Sequence, residues 1–220
     1  MSSGKPRNVH CANNGAWIAG LYAIADSAYL SADQFVPAVR AALDGGARVI
    51  QYRDKKSEPG QREAIARALN ALCREHAVPF LINDDVALAA IVGAAGVHLG
   101  RDDPDIAAAR AALGDAALIG VSCYNELARA QSAQAAGADY VAFGRFFPSR
   151  TKPHAVPATP ELLRAARAAL KIPIVAIGGI TPENGAYLIA AGADALAVIE
   201  GVFNHPDIRA AAERYARLFK

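Results

Sequence analysis

The chain has 220 residues, 53% of them hydrophobic, with 23 Lys and Arg against 21 Asp and Glu for a formal net charge of +2. That suits one large domain or two small ones, and a charge so near balance argues against nucleic-acid binding driven by net charge. No apolar run approaches the length of a membrane span, and residues 1–16 carry Lys5 and Arg7 without an apolar stretch, which predicts a flexible tail rather than a signal peptide, followed by one folded domain over 17–220.

Taken in order, strand-like runs lie at Trp17–Ala25, Ala47–Arg53, Pro79–Ile82, Gly96–Leu99, Ala117–Val121, Tyr140–Gly144, Ile172–Ile177 and Ala195–Ile199. Their continuous apolar character is that of parallel strands covered on both faces. Alanine-rich stretches with helical spacing separate them, among them Asp33–Leu43, Gln61–Glu75, Asn125–Ala136 and Thr159–Leu170. Eight strands alternating with helices predict an α/β fold, a single-domain (β/α)8 barrel of the TIM type. A recurrent joint supports it: Gly45-Gly46-Ala47, Ala95-Gly96-Val97, Ala136-Gly137-Ala138 and Ala191-Gly192-Ala193 each place a glycine where a helix must end before the next strand. An open doubly wound sheet is the alternative, but no Gly-x-Gly-x-x-Gly follows the first strand.

Polar clusters stand repeatedly at the C-terminal ends of these strands, the end where such barrels carry their chemistry. Gln51, Arg53 and Lys55 alternate at the end of strand two, so they point to one side as a cationic, hydrogen-bonding wall. Asp84-Asp85 follow strand three and Asp102-Asp103 follow strand four. Carboxylate pairs without matching Cys or His suit a hard cation such as Mg2+, while aspartate also favours helix N-caps. The expectation is that one member of each pair caps and the other coordinates. Arg150 and Lys152 add charge after strand six, although Arg150 reads as a solvated surface residue; cations beside such a metal site suit a diphosphate. Gly178-Gly179 precede a helix that begins near Pro182, in the loop after strand seven where barrels commonly bind phosphate.

The remaining candidates carry less. His98 lies within a strand and is expected to pack in the core. Trp17 is expected to pack rather than stack on a ligand, and Tyr22 and Asp26 bracket the end of strand one near the barrel mouth. Cys11, Cys73 and Cys123 are odd in number and lack metal-ligand spacing, which fits a reducing, cytoplasmic setting; Cys123 has no adjacent histidine to activate it.

The motifs Gln51-Tyr-Arg-Asp-Lys55, Asn83-Asp-Asp85, His98-Leu-Gly-Arg-Asp-Asp103, Gly120-Val-Ser122, Ser149-Arg-Thr-Lys152 and Gly178-Gly-Ile180, in that order, make the chain resemble the thiamine-phosphate synthase family from about Leu21 onward. The resemblance implies a Mg2+-dependent transferase that joins hydroxymethylpyrimidine diphosphate to a thiazole phosphate and releases diphosphate. It implies Asp84 and Asp103 as metal ligands, and Gln51, Arg53, Lys55, Asn83 and Lys152 as holders of the pyrimidine diphosphate. Ser122 would sit beside the reacting pyrimidine, with Arg53 and Lys152 as the other catalytic residues. Ser149, Thr151, Gly179, Ile199 and Glu200 would form the thiazole-phosphate side. The implied mechanism is dissociative: diphosphate leaves first, and the thiazole nitrogen captures a pyrimidine cation. The implied partners are small-molecule substrates, with no nucleic acid and no membrane; oligomeric state is not implied.

Two positions depart from the family. Arg101 stands where glutamine is usual, and Glu200 where serine is usual beside the phosphate; the expectation for Glu200 is that its carboxylate turns outward. Two rivals stay open. A thiazole tautomerase-like isomerase would need neither the acidic clusters nor the Gln51–Arg53–Lys55 wall, and a non-catalytic thiazole-phosphate-binding regulatory protein has only Glu200 in its favour.

Overall fold

The computed structural model describes residues 16–103, 105–148 and 156–220. The expected tail (all but Ala16), Cys11, Ser149, Arg150, Thr151, Lys152 and His154 lie outside the described residues. Eight parallel strands close in sequence order into one barrel, with β8 returning to pair with β1. The strands are β1 (Gly20–Asp26), β2 (Ala47–Arg53), β3 (Phe80–Asn83), β4 (Gly96–Leu99), β5 (Leu118–Tyr124), β6 (Tyr140–Gly144), β7 (Ile174–Ile177) and β8 (Ala195–Val198). Between and after them come α1 (Phe35–Asp44), α2 (Pro59–Glu75), α3 (Val86–Val92), α4 (Ile106–Leu113), α5 (Leu127–Ala135), α6 (Pro160–Ala169), α7 (Pro182–Ala190), α8 (Glu200–Phe203) and α9 (Ile208–Ala216). The fold is the single-domain (β/α)8 barrel that the alternating pattern predicts.

Local chemistry accounts for the helix ends. Asp85, Asp105 and Asp207 accept the first-turn amides of α3, α4 and α9 through their carboxylates, and Pro59, Pro160 and Pro182 stand in the first turn of α2, α6 and α7, where a missing N–H costs nothing. Gly46, Gly137 and Gly192 take positive φ at the expected joints. The fourth joint works differently. Gly93, not Gly96, is the left-handed residue that ends α3, and Gly96 already belongs to β4. A Cβ on Gly96 would lie 1.8 Å from the Leu118 carbonyl oxygen, so the glycine there permits close strand approach.

Three strand limits shift by two residues or more. Residues 16–18 form a turn, so β1 begins at Gly20 rather than at Trp17, and the Trp17 ring meets Tyr140 edge-on at 5.9 Å. The seventh strand starts at Ile174 rather than Ile172. β5 runs on to Tyr124, which places Ser122 inside the strand instead of just beyond it.

The strand period of two separates two cores. One face of each strand packs against the helices, through residues such as Leu21, Ile50, Phe80, Val141 and Leu196. The other face fills the barrel with Tyr22, Ile24, Val49, Leu81, Tyr140 and Val175, among others. Toward the C-terminal end the inward residues shrink to Ala142, Gly144 and Ala197, which leaves room for a cavity there. Among the described residues no helix is long and apolar enough to cross a membrane. Burial pushes the thiols of Cys73 and Cys123 up to about 12, so neither is a ready nucleophile.

Candidate active site

A cavity of about 410 Å3 opens at the C-terminal end of the barrel, within the range of small-molecule sites. Gln51, Arg53, Asn83, Ser122, Gly179, Ile199 and Glu200, expected from the sequence, all line it. A smaller hollow that includes Lys55, Asn83 and Asp84 adjoins it, with Asn83 common to both. Strand ends β2 and β3 thus hold one side, and the loops after β7 and β8 the other.

On the first side every charge is held in place. The Arg53 guanidinium donates to Asp26 Oδ2 at 2.7 Å, and Asp26 is a buried carboxylate at the end of β1 that also accepts the Ala28 amide. Lys55 Nζ donates to Asp84 Oδ2 at 2.8 Å. The Asp84 and Asp103 carboxyls lie within hydrogen-bonding reach of one another. Burial opposes ionisation of Asp84, but the hydrogen bonds from Lys55 and Asp103 outweigh it and hold Asp84 below the usual carboxylate range. Asp103 moves the other way: burial and then the neighbouring Asp84 raise it, despite the Gly100 amide it accepts. Two carboxyls brought so close oppose one another's ionisation, which pushes their titrations apart.

The capping expectation is half right. Asp85 does cap α3, accepting the Leu88 amide at 2.9 Å while pairing with Arg62, and leaves Asp84 to face the hollow. After β4 neither Asp102 nor Asp103 caps α4; Asp105 does, two residues further on. Asp103 instead turns back onto the Gly100 amide, beside Asp84. Arg101 points away from this centre. It pairs with Glu126 and stacks 4.9 Å from the centroid of Tyr124.

On the far side, Gly178 and Gly179 have φ of 103° and 65°, a conformation that favours glycine. A Cβ on Gly179 would also meet the Pro148 carbonyl oxygen at 2.3 Å, so the loop after β6 presses directly on this turn. Among the described residues no acceptor takes the Gly179 amide. Ile199 caps the short α8, whose first residue is the half-buried Glu200.

Sequence reasoning missed what lies between the two sides. His98 is buried, as expected of a packing residue, and is also bonded at both ring nitrogens, to Tyr140 Oη and Ser122 Oγ, each at 2.9 Å. Tyr140 Oη is 2.8 Å from Tyr22 Oη, which accepts from Gln51 Nε2 at 2.7 Å. All five side chains occupy inward positions of their strands. Strand register together with the two-residue period would have aligned them; inspection of one strand at a time does not.

Comparisons with known proteins bear on the family and the fold. The family model described as thiamine monophosphate synthase matches residues 21–202. A thiamine-phosphate synthase from Nitrosococcus oceani is 56% identical over 202 residues, covering 92% of this chain and 93% of that protein. One from Thioalkalivibrio sulfidiphilus is 52% identical over 206 residues, covering 94% and 98%. The solved thiamine phosphate pyrophosphorylase from Pyrococcus furiosus superposes with a TM-score of 0.82 at 36% identity, covering 91% of this chain and 95% of that one. The barrel, the order of the strand-end motifs and these matches together make the chain a member of the thiamine monophosphate synthase family.

Proposed function

We propose that this protein is a thiamine-phosphate synthase, a transferase of thiamine biosynthesis that couples hydroxymethylpyrimidine diphosphate to a thiazole phosphate and releases diphosphate. The observation that carries the reading is the Asp84–Asp103 carboxyl pair beside Lys55, at the hollow that adjoins the cavity. Such a donor set fits Mg2+, which takes one or two protein carboxylates and completes its shell with water and substrate phosphates. Asp84 and Asp103 would hold the ion, and when bound it would supply charge neutralisation to the diphosphate.

The protein's own residues do the rest. Arg53, oriented by Asp26, and Lys55 draw the diphosphate to the metal side and stabilise negative charge as the C–O bond to the pyrimidine methylene breaks. Asn83 joins the two hollows and positions the phosphate relative to the ring. Ser122 and Gln51 hold the pyrimidine, while the Gly179 amide and the Ile199–Glu200 turn receive the thiazole phosphate, with its ring nitrogen directed at the methylene. A dissociative path suits this site, since charge stabilisation and positioning are what its residues offer. Ser149, Thr151 and Lys152 complete the set by resemblance. Small-molecule substrates, no nucleic-acid or membrane partner and a cytoplasmic setting accompany the reading.

The deciding experiment supplies both substrates with Mg2+ and measures diphosphate and thiamine monophosphate together. Stoichiometric release that stops with chelator and resumes with Mg2+ is expected. A tautomerase or a binding protein would release none, and product formation indifferent to chelator would remove the metal from the reading. Glu200 gives a second test. Its Ser variant removes a negative charge beside the proposed phosphate position and is expected to leave KM for the thiazole phosphate unchanged or lower it by up to about tenfold. A large rise would mean the carboxylate itself helps bind.

A further inference from the structure

Gln51 and Arg53 face the cavity from the end of β2, so Tyr52 between them points the other way, into the core beneath the helices. Asp54, the residue after the strand, turns to the Tyr52 side, where its Oδ2 accepts the Tyr52 hydroxyl at 2.8 Å. Both are nearly inaccessible to solvent, Tyr52 at 2% exposure and Asp54 at 6%. The Tyr52 ring is fixed edge-on against Phe35 of α1 at 5.0 Å.

The other oxygen of Asp54, Oδ1, accepts the amides of Lys56 and Ser57 at 2.9 and 3.0 Å. Asp54 thus closes a tight turn over residues 54–57, with its carboxylate standing in for a backbone carbonyl. Lys55 lies inside that turn. Its own amide donates to Ser27 Oγ at 3.1 Å, and the Ser27 amide donates to the Arg53 carbonyl at 3.0 Å. The backbone around Lys55 is therefore held from two directions, by the end of β1 and by the buried side of β2.

A buried carboxylate is costly unless its lone pairs are used. Burial opposes ionisation of Asp54, but the bonds from Ser57, Lys56 and Tyr52 outweigh it and hold the carboxyl below the usual carboxylate range. These partners are neutral donors, so Asp54 supplies geometry rather than charge balance. The Lys55 side chain is by contrast 53% exposed. Its four-carbon stem loses rotamer freedom when Nζ is held 2.8 Å from Asp84 Oδ2, and a fixed backbone removes part of the chain's freedom in advance.

We propose that Asp54, with Tyr52 beneath it, is a positioning residue for the transferase reaction: it fixes the turn that carries Lys55, so that the ammonium meets the diphosphate already in place. The inference rests on the assignment of Lys55 to the diphosphate under the proposed function. Asp54→Ala is expected to lower kcat/KM for the pyrimidine diphosphate by roughly 100-fold, the scale of a misplacement of about 1 Å, with KM for the thiazole phosphate unchanged. Tyr52→Phe keeps the ring against Phe35 and removes only the hydroxyl, so a fall of about threefold to tenfold is expected. Asp54→Asn retains an oxygen for the two amides and is expected to stay within about threefold of wild type.

Coupling to Lys55 separates positioning from simple stabilisation of the fold. In a Lys55→Ala background, Asp54→Ala and Tyr52→Phe should each cost less than about twofold further, because the group they position is gone. Losses that recur in full there, or that raise KM for both substrates alike, would overturn the positioning role. Hydrogen exchange in the substrate-free protein reads the turn without turnover. Asp54→Ala should speed exchange of the Lys56 and Ser57 amides by at least about tenfold, with amides in the middle of α2 unaffected; unchanged exchange at both would overturn the anchor. If Asp54→Ala does not fold, Tyr52→Phe carries both measurements. Should the wild type release no diphosphate from the pyrimidine substrate, the proposed function fails, while the exchange result still decides whether Asp54 fixes the turn.

Discussion

Replacing Asp84 by Ala is expected to lower kcat/KM for coupling by roughly 10^3-fold, in line with removal of a charge-stabilising group aimed at the reacting centre. The carboxylate does two jobs there: it anchors Lys55 Nζ at 2.8 Å and forms one half of the pair with Asp103. Losing it should also raise the Mg2+ concentration needed for half-maximal rate, because one proposed protein ligand is gone and Lys55 is no longer held beside the hollow. Asp103→Ala should behave alike. Asp85→Ala provides the contrast, since this adjacent carboxylate caps α3 and pairs with Arg62. It is expected to cost about 1 kcal/mol of stability, as lost N-caps do, with the magnesium dependence preserved. Initial rates of diphosphate release across a Mg2+ titration, with thermal unfolding of each variant, separate these outcomes. Equal behaviour of the Asp84 and Asp85 variants would remove the proposed division of labour.

That division shows how far the sequence can be read. The eight apolar runs and the glycine joints disclosed the barrel because a buried strand has little freedom of composition and a helix must stop before the chain can turn back. The site was legible wherever one strand end carries its own cluster, as at Gln51–Lys55 and Asn83–Asp85. It was less legible where function depends on partners from different strands. Asp105, rather than either member of the Asp102–Asp103 pair, caps α4 because helix phase decides which aspartate meets a free amide, and phase is invisible in an acidic run. His98 read as a core residue for a similar reason: its partners Tyr140 and Ser122 are 42 and 24 residues away, and only closure of the barrel brings them to the imidazole. Arg101, a departure from the family pattern whose direction the sequence leaves open, is drawn to the side by Glu126 and the Tyr124 ring.

Gly96→Ala is expected to do more damage to the fold than removal of any single active-site charge. The added Cβ would stand 1.8, 2.6 and 2.7 Å from the carbonyl oxygen, carbonyl carbon and nitrogen of Leu118, all backbone atoms that no rotamer change can move. Leu118 is the direct partner of Gly96 in the β4–β5 ladder, and its amide donates to Ala95 at 2.8 Å, so relief requires prising two adjacent strands of a closed barrel apart. A loss of about 4 kcal/mol or more follows, equivalent to a fall in Tm of roughly 8–16 °C for a domain of this size. Gly114→Ala is the control: that residue has a φ of 87° but nothing within 4 Å of an added Cβ, so only backbone strain of about 1 kcal/mol is expected. Comparable Tm values for the two variants would show that the close strand approach does not govern position 96. The displacement would also reach function, because β4 delivers His98 from its inward face and leads directly to Asp103. A β4 shifted against β5 separates the imidazole from Ser122 and moves Asp103 relative to Asp84, so any folded remnant of this variant should lose magnesium dependence.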